Sequence, residues 1–528
     1  MNVLLINPAQ CMSLYTFSEV NDITLRPGHM PNLALPTLAA LAPEDVDVTL
    51  VDENVEPVHY DQRWDVVGIT GYISHKRRMI EIADEFRRRG QLVAIGGPYA
   101  SLSPDTVRPH ADVLFTGEAE ETWPQFLADL RRGEWKNEYR ADDKIDIRSS
   151  PVPAMKKLDN DVYLMGVVQT SRGCPFECEF CDVIIYLGRK QRHKAPERVV
   201  EELEQLYSLG YRTAFLSDDN FTANRKRAAE IMTAVRAWNR SKPERMSFVT
   251  QLSIDVARDR DIGLLDLCAE AGLTQAFIGI ETPNPDALRE VKKHQNLRND
   301  LIADVQRIQS KGIMVQAGMI SGFDSDTTES FRHQYEFVQA AGIPMVSISV
   351  LNAPEGTPLE KRLLDENRLL TDPMDDLYIN TNIIPKRLTR QQLFYGMQWL
   401  MNKVYQPRAF IERVSVYAEH LPESRETTPA TRRAAEFWDR IVNAYDSLGP
   451  EFRNIPRDAV RLFHKKDIDG ISTALVFYKH VVCVIRKWNL WNPALALIDE
   501  PDFENVGGQF NSAGASKKFA FSARELVH

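Results

Sequence analysis

Short apolar runs alternate with amphipathic stretches through the first 120 residues of the chain. The runs are rich in Val, Ile and Leu, which is typical of strands buried on both faces of a parallel sheet. Between the third and fourth runs, residues 76–89 place apolar side chains on one helical face, and Gly90 follows as a stop signal. The predicted strands are Val3–Ile6, Val48–Val51, Val66–Ile69, Leu92–Ile95 and Val113–Phe115. This alternation predicts a doubly wound α/β unit, which we place at residues 1–135.

The loops after the third, fourth and fifth runs carry the candidate ligand-binding residues of this unit. Doubly wound sheets bind ligands beyond the carboxyl ends of their strands. The glycines in these loops would let a large ligand approach the backbone closely. The candidate residues are Thr70, Gly71 and Tyr72, then Gly96, Gly97 and Pro98, and finally Thr116, Gly117 and Glu118.

A second series of strands and helices follows a charged stretch, which we predict to be a linker at residues 136–160. The helical stretches Pro196–Leu209 and Asn299–Ser310 have Pro or Asn at the start and Gly just beyond the end. The predicted strands are Val167–Thr170, Thr213–Ser217, Phe248–Leu252, Ala276–Ile280, Val315–Ile320 and Val346–Val350. Six consecutive βα units predict a partial (βα)6 barrel of the TIM type at residues 161–365, with its active groups on the loops after the strands.

After Pro358 the pattern becomes helical, and we predict a mostly helical domain at residues 366–528 with a poorly ordered tail. Its predicted helices are Arg390–Val404, Thr431–Leu448 and a stretch around Ile471–Lys487. The apolar run from Ile471 to Ile485 is interrupted by Lys479 and His480 and is too short to span a bilayer. The first residues do not resemble a signal peptide, so we expect a soluble, cytoplasmic protein.

Composition narrows the function classes. The formal net charge is −10 and no basic block is present, which argues against a nucleic-acid partner. Apolar residues make up 43% and charged residues 26%, as in ordinary globular proteins. The chain has six cysteines. In a reducing compartment, clustered thiols indicate metal or redox chemistry rather than disulfides.

Three of the cysteines follow the first barrel strand, in the sequence TSRGCPFECEFCD. Cys174, Cys178 and Cys181 are spaced to converge on one loop, and thiolates bind iron–sulfur clusters or zinc. A structural zinc site normally has four ligands, and the nearest candidate for a fourth is His193, at an unusual distance. A four-iron cluster held by three cysteines leaves one iron open for a substrate. The isolated Cys11, Cys268 and Cys483 are not part of this arrangement.

The C-x3-C-x-aromatic-C pattern, with Phe180 before the third cysteine, resembles the radical S-adenosylmethionine (SAM) superfamily. The resemblance implies a 4Fe-4S cluster on the three cysteines, reductive cleavage of SAM and a 5′-deoxyadenosyl radical. It also implies that Phe180 and residues at the ends of later strands bind SAM. The candidates at those strand ends are Asp218, Asp219, Ser253 and Glu281, each of which could instead cap a helix.

The segments NPAQ, LALPTLAAL, VDEN, GGPYAS and FTGEAEET resemble, in the same order, the cobalamin-binding domain of class B radical SAM enzymes. The resemblance implies that the three loops of the first unit bind cobalamin. No D-x-H-x-x-G motif is present, so the lower ligand of cobalt is not assigned, with His75 and Tyr72 as candidates. Residues Asn380 to Val414 resemble the branch that contains the hopanoid C-2 methylase.

This resemblance implies a cobalamin-dependent radical SAM methyltransferase that acts on an unactivated carbon of a small molecule, with a lipid or terpenoid preferred. An oxidative cyclisation, ring rearrangement or carbon–carbon coupling remains an alternative, as does a non-catalytic cobalamin sensor. An external electron donor such as flavodoxin or ferredoxin is implied, and the Ile471–Ile485 stretch could contact a membrane peripherally. A set of large side chains could line a substrate channel or form core: Phe394, Tyr395, Met397, Trp399 and Met401.

Overall fold

The computed structural model describes residues 1–259, 261–297, 300–370, 380–422, 432–463 and 468–504. Its first unit is a six-stranded sheet in the order β2-β1-β3-β4-β5-β6, in which all paired strands are parallel. The strands are β1 (Asn2–Asn7), β2 (Asp47–Asp52), β3 (Val66–Thr70), β4 (Val93–Gly96), β5 (Val113–Thr116) and β6 (Glu138–Arg140). The strand order reverses between β1 and β3, and such a reversal is where doubly wound sheets bind ligands.

Both faces of this sheet are covered. Val3 and Leu5 of β1 belong to one apolar cluster, whereas Leu4 and Ile6 belong to the cluster on the opposite face. Because successive residues of a strand point to opposite faces, this double coverage explains the uninterrupted apolar runs in the sequence. The helices are α1 (Asn21–Thr24), α2 (Ala34–Leu41), α3 (Lys76–Arg88), α4 (Pro98–Leu102), α5 (Pro104–Val107) and α6 (Ala119–Arg132).

The predicted linker is wrong at its start. Residues Glu138–Arg140 form β6, which pairs in parallel with β5 and completes the first sheet. The sheet therefore extends past the boundary predicted at residue 135. A three-residue edge strand with the sequence Glu-Tyr-Arg has no apolar run, which is why the sequence pattern did not indicate it.

The second unit is the predicted partial barrel, with six parallel strands in the order β14-β13-β12-β11-β10-β7. The strands are β7 (Gly166–Val168), β10 (Thr213–Leu216), β11 (Ser247–Leu252), β12 (Leu273–Glu281), β13 (Met314–Ser321) and β14 (Met345–Val350), with a short antiparallel pair β8 (Ser171–Arg172) and β9 (Arg192–His193) after the first strand. The helices are α7 (Val183–Tyr186), α8 (Pro196–Ser208), α9 (Arg225–Arg240), α10 (Leu264–Ala271), α11 (Pro285–Glu290), α12 (Leu301–Gln309), α13 (Glu329–Ala340) and α14 (Pro358–Asp365).

Helix α12 begins at Leu301, two residues after the predicted start. Asp300 is its N-cap, and its side chain accepts a hydrogen bond from the backbone N–H of Ala303 at 3.1 Å. Asn299, the predicted start of this helix, lies outside the described residues.

The carboxyl-terminal part is helical, as predicted, and its described helices share their core with the barrel. Apolar residues from these helices and from the barrel form one continuous cluster, which also includes Leu14, Val20 and Ile23. The helices are α15 (Arg390–Tyr405), α16 (Pro407–His420), α17 (Arg432–Leu448), α18 (Ile455–Leu462), α19 (Ile468–Lys487) and α20 (Pro493–Ala496). The tail predicted to be poorly ordered lies outside the described residues.

Residues 8–33, which we call the N-terminal connection, link β1 to α2 and pack against the carboxyl-terminal helices. Lys479 of α19 donates to the Glu19 carbonyl at 2.5 Å and to Asp22 Oδ1 at 2.7 Å. Among the described residues, no helix is both long enough and apolar enough to cross a membrane. The contacts of Lys479 join the third predicted part of the chain to the first.

Candidate active site between the sheet and the barrel

A cavity of about 1070 Å³ lies between the carboxyl ends of the first sheet and those of the barrel strands. Its walls combine residues from the two predicted cofactor sites. The predicted residues that line it are Thr70, Gly71, Tyr72, Gly97, Pro98, Gly117, Glu118, Cys174, Cys178, Phe180, Cys181, Asp218, Asp219, Ser253 and Glu281. Gly96 and Thr116 end their strands without lining the cavity. The structure thus brings nearly all of the predicted residues to one space.

The loop that carries the cysteines is held by two aspartates at the end of β10. Asp218 is buried and accepts hydrogen bonds from the Thr170 N–H at 3.0 Å, from Thr170 Oγ1 at 2.6 Å and from the Ser171 N–H. Asp219 Oδ2 accepts from the Gly173 N–H at 2.9 Å. Burial raises the pKa of each carboxyl to about 6. The oxygens of Asp218 are therefore already occupied by the loop, which argues against the predicted contact of this residue with SAM.

Gly173 is required immediately before the first cysteine. Its φ is +92°, and a Cβ atom there would lie 2.8 Å from the carbonyl oxygens of Gly188 and Lys190. The Cys174 N–H donates to the Gly188 carbonyl at 3.2 Å. The cysteine loop therefore packs closely on the backbone of Gly188 and Lys190 just before Cys174. Only glycine at position 173 leaves room for this contact.

The three thiols line the cavity and are not paired in disulfides. Burial raises the pKa of the Cys174 thiol to about 11 and that of Cys181 to about 12, and a bound metal group would favour the loss of their protons. Within the described part of the chain, no three His, Cys, Asp or Glu side chains converge on a single ion. Three thiols on one loop at the cavity wall match a cluster in which each cysteine binds a different iron.

His193, the nearest candidate for a fourth ligand, does not line the cavity. It lies in β9, opposite Ser171, and burial lowers its pKa to about 4. The zinc alternative therefore has no fourth ligand from this residue.

Ser253 carries a buried hydroxyl at the cavity wall that has no hydrogen-bond partner within the described part of the chain. The residue is 6% exposed and begins the turn Ile254–Arg258, but its side chain makes no capping hydrogen bond. The helix after β10 is capped by Asn224, so the helix-cap alternative is wrong for Asp218 and Asp219. The helix after β12 is capped by Asn284, so it is wrong for Glu281 too. An unpaired buried hydroxyl at a cavity wall fits a ligand that supplies its partner.

Glu281 ends β12 in a strained backbone conformation, with φ at +65°. Its Oε1 accepts a hydrogen bond from Lys293 Nζ at 2.5 Å, and the ammonium group lies 5.9 Å from the centre of the Phe180 ring. Burial by itself would lower the pKa of Lys293. The negative charges of Glu281 and Cys178 outweigh the effect of burial and hold the pKa of Lys293 above its usual value. A Cβ on Gly279 would lie 2.3 Å from Glu281 Oε1, so the glycine makes room for this ion pair.

The glycines of the first sheet serve the packing of the loops against one another. A Cβ on Gly97, whose φ is +94°, would lie 2.2 Å from Thr70 Oγ1. A Cβ on Gly117, whose φ is +84°, would lie 2.5 Å from the Ala141 carbonyl oxygen. Both glycines also line the cavity, so the expectation that they let a ligand approach the backbone closely stays a prediction.

Glu118 joins the sheet to the barrel. Its carboxylate accepts hydrogen bonds from Arg172 Nη1 at 2.8 Å and from Arg192 Nη1 at 2.7 Å, and also from the Ile145 N–H at 3.1 Å. Both arginines lie in the short pair β8 and β9, next to the cysteine loop. Glu118 was predicted to contact cobalamin, but its oxygens are used to fix the two units relative to each other.

His75, a candidate for the lower ligand of cobalt, is buried and lines the cavity. Its Nδ1 accepts a hydrogen bond from the Tyr72 N–H at 3.1 Å, which places the imidazole proton on Nε2. Burial lowers the pKa of His75 to about 4. Neither ring nitrogen is then free as a ligand for cobalt in this arrangement. Tyr72, half exposed, lines the cavity.

The N-terminal connection supplies a wall of the cavity that the sequence did not indicate. Met12, Tyr15, His29 and Met30 line it, and the Tyr15 ring meets that of Phe277 edge to face, with centroids 6.0 Å apart. The channel residues suggested from α15 are core instead: Phe394, Tyr395, Met397, Trp399 and Met401 are all at most 2% exposed. Every described residue that lines the cavity precedes residue 297.

Three features define a radical SAM enzyme. They are an open six-stranded parallel barrel, three thiols on the loop after its first strand, and a cavity at the strand ends. The flavodoxin-like sheet that closes the same cavity defines a subgroup with an additional cofactor domain.

Comparisons with known proteins agree with this class. The model of the radical SAM superfamily matches residues 168–338, and that of a domain of unknown function matches residues 357–487. An uncharacterised methyltransferase of Synechocystis sp. is 36% identical, over 78% of each chain. The hopanoid C-2 methylase of Rhodopseudomonas palustris is 31% identical, over 92% of this chain and 94% of the relative. The structure of the cobalamin-dependent SAM radical enzyme OxsB has the same fold, with a TM-score of 0.59 and 14% identity over 98% of this chain and 84% of that one.

The chain belongs to the cobalamin-dependent radical SAM family, in the branch that contains the hopanoid C-2 methylase. It is a methyltransferase of that family, with a 4Fe-4S cluster, SAM and cobalamin as cofactors.

Proposed function

We propose that the protein transfers a methyl group to an unactivated carbon of a polycyclic terpenoid or similar lipid. The observation that carries this proposal is the cavity itself, because the cluster thiols and the switch-point loops of the first sheet line the same space. When bound, the cofactors supply a carbon-centred radical from SAM and a methyl donor on cobalt. The residues of the chain bind and orient these groups and the substrate.

Within this proposal, Cys174, Cys178 and Cys181 hold the cluster, and Asp219 and Gly173 fix the loop that presents them. Ser253 supplies a hydroxyl to SAM, and Phe180 covers the nucleotide beside the Glu281–Lys293 pair. Asp218 is assigned to the loop rather than to SAM because its oxygens have partners already.

We assign cobalamin to the side of the cavity formed by the first sheet. Thr70, Gly71, Tyr72, Gly97, Pro98 and Gly117 line that side. Asn7 and Thr70 end the two strands between which the order of the sheet reverses, and both line the cavity. His75 is not assigned to cobalt, for the reason given by its hydrogen bond to Tyr72.

The substrate class is supported by the wall that the N-terminal connection provides. Met12, Tyr15, Met30 and Leu33, together with Phe277, give this region an apolar surface with few charges. Such a surface suits a hydrocarbon skeleton better than a charged metabolite. The relative that aligns with 92% of this chain is a methylase of hopanoids, which are polycyclic lipids of this kind.

The experiment that tests the proposal uses the reconstituted, chemically reduced protein with methyl-labelled SAM. A hopanoid-type triterpenoid and a chlorophyll-type tetrapyrrole are offered in parallel. We expect label in the triterpenoid together with 5′-deoxyadenosine. Label in the tetrapyrrole alone would overturn the substrate class. A changed but unlabelled product would support the cyclisation or coupling alternative, and a failure to form 5′-deoxyadenosine would support the sensor.

The same proposal includes an external electron donor of the flavodoxin or ferredoxin class and a cytoplasmic location. A lipid substrate would also require a brief peripheral contact with a membrane. The Ile471–Ile485 stretch is not proposed for this contact, because every apolar residue of that stretch except Cys483 is buried in α19.

A further inference from the structure

A second cavity, of about 580 Å³, lies on the other side of the cysteine loop. Cys174 lines the active-site cavity, whereas the next residue, Pro175, lines this second one. Arg189 Nη2 donates to the Pro175 carbonyl at 3.2 Å, which fixes the loop from the second side. A single stretch of backbone therefore separates this cavity from the cluster ligands.

The charged residues of the second cavity define what we call the basic groove. They are Arg189, Lys190, Arg225, Lys226, Asp259 and Asp261. Positive charges thus outnumber negative ones here, although the chain as a whole has a net charge of −10. The excess of positive charge is a local property of the surface next to the cysteine loop.

Two of the four basic side chains have carboxylate partners, and the other two have none among the residues that the structure describes. Arg225 pairs with Asp255 at 2.9 Å and with Asp259 at 3.5 Å, and Arg189 pairs with Glu177. Lys190 and Lys226 are exposed, and no carboxylate within the described part of the chain forms an ion pair with either of them. Their charge is available to a partner.

We propose that the basic groove docks a small acidic electron-transfer protein that reduces the cluster. The inference rests on the proposed function, since the cysteine loop needs an electron from outside only if it bears the cluster. One electron leaves the reduced donor and arrives at the cluster, and no atom is transferred. Docking at Pro175 places the donor next to the first cluster ligand, and the exposed lysines attract an acidic surface and speed its encounter.

The test compares three charge variants of the reconstituted protein in binding to purified flavodoxin. The variant Lys190→Glu/Lys226→Glu reverses both free charges, and Lys190→Arg/Lys226→Arg keeps them. The matched control is Lys136→Glu/Lys156→Glu, which makes the same change in net charge. Lys136 is exposed just before β6, and Lys156 is exposed beside Lys157, which contacts the Val48 carbonyl near the start of β2. These control sites lie at the amino ends of the first sheet, away from the groove.

We expect the charge reversal to weaken flavodoxin binding by at least tenfold at low salt and to slow the oxidation of reduced flavodoxin in stopped-flow traces to the same degree. The arginine variant and the matched control should stay within twofold of wild type. The effect should shrink as salt rises, because mobile ions screen exposed charges. Equal losses in the groove variant and the matched control would overturn the proposal, as would unchanged binding in both.

Chemical reduction separates this inference from the proposed function. With dithionite in place of flavodoxin, the charge-reversed variant should form 5′-deoxyadenosine at the rate of the wild type, because a small reductant needs no docking surface. Failure of wild type with dithionite would count against the proposed function itself. Loss of dithionite-driven activity in the variant alone would show damage to the loop and would overturn the docking interpretation.

Discussion

Single residues at the cavity differ in whether their polar atoms already have partners. The hydroxyl of Ser253 has none among the described residues, whereas the oxygens of Asp218 and Glu118 already accept hydrogen bonds. The sequence identified all three as candidates because each follows a strand, but it could not distinguish them. That distinction depends on side chains that approach from distant parts of the chain, such as Arg192, which is 74 residues from Glu118.

Replacing Ser253 with alanine should weaken SAM binding about fivefold and leave stability unchanged. A lost hydrogen bond to a ligand is worth about 1 kcal/mol, and no bond within the protein is broken. Equilibrium titration with SAM measures the first quantity, and the urea midpoint measures the second. Unchanged affinity would show that the hydroxyl does not contact SAM.

Replacing Gly97 with alanine should destabilise the protein by about 3 kcal/mol, because the new Cβ has both an unfavourable φ and a clash with Thr70 Oγ1. Gly90 provides a matched control, since its φ is +72° but nothing lies within 4 Å of its Cβ position. Gly90→Ala should therefore cost only about 1 kcal/mol. Urea unfolding of both variants measures the difference, and equal losses would refute the steric part of the argument.

At the scale of secondary structure, runs of apolar residues in the sequence are enough to predict the strands that are buried on both faces of a sheet. The apolar runs of β1 and β3 and the cysteine spacing are local signals, so the sequence was sufficient for both α/β units and for the cluster loop. Three features are not local. They are the polar edge strand β6, the pair β8 and β9, and the docking of the N-terminal connection on α19. His480 of α19 contacts the Ser13 carbonyl across 467 residues.

His480 should make the stability of this docking depend on pH. Its ring stacks on Phe17, which also stacks on His29, and burial lowers its pKa from 6.5 to about 4. The unfolded chain takes up a proton near pH 6.5 and the folded chain only near pH 4, so stability falls as the pH falls through this window. Between pH 7.5 and pH 5 the loss from His480 is about 2 kcal/mol.

The variant His480→Gln should lose this contribution while keeping a donor for Ser13. Urea unfolding of wild type and variant at the two pH values measures it. Asp218 and Asp219, whose pKa values burial raises to about 6, act in the opposite direction, but they are present in both proteins and cancel in the difference. A pH dependence that is identical in the two proteins would contradict the assignment to His480.

At the scale of the whole molecule, the boundaries suggested by the sequence separate parts that the structure joins. The first sheet is held to the barrel through Glu118, and the barrel shares its core with the carboxyl-terminal helices and with Leu14, Val20 and Ile23. Cavity geometry thus depends on contacts between units as much as on the loops within them.

Replacing Glu118 with glutamine should cost about 3 kcal/mol, because Arg192 is left buried without its carboxylate. We expect the first sheet to unfold separately from the barrel, giving two urea transitions in place of one. Asp45→Asn, which removes an exposed partner of Arg131, serves as the control and should change little. A single transition at the wild-type midpoint would show that Glu118 does not couple the units.

Because the N-terminal connection packs on α19, it cannot be exchanged between related enzymes without matching residues on that helix. The cavity wall formed by Met12, Tyr15, His29 and Met30 belongs to one short stretch of chain, so a transplanted stretch could carry a new substrate preference into an unchanged barrel. In this chain Lys479 and His480 hold that stretch on α19. A transplant from a relative would therefore need the relative's residues at these two positions as well. Under the proposed function, the substrate wall and the helix that supports it would therefore be exchanged together, although they lie far apart in the sequence.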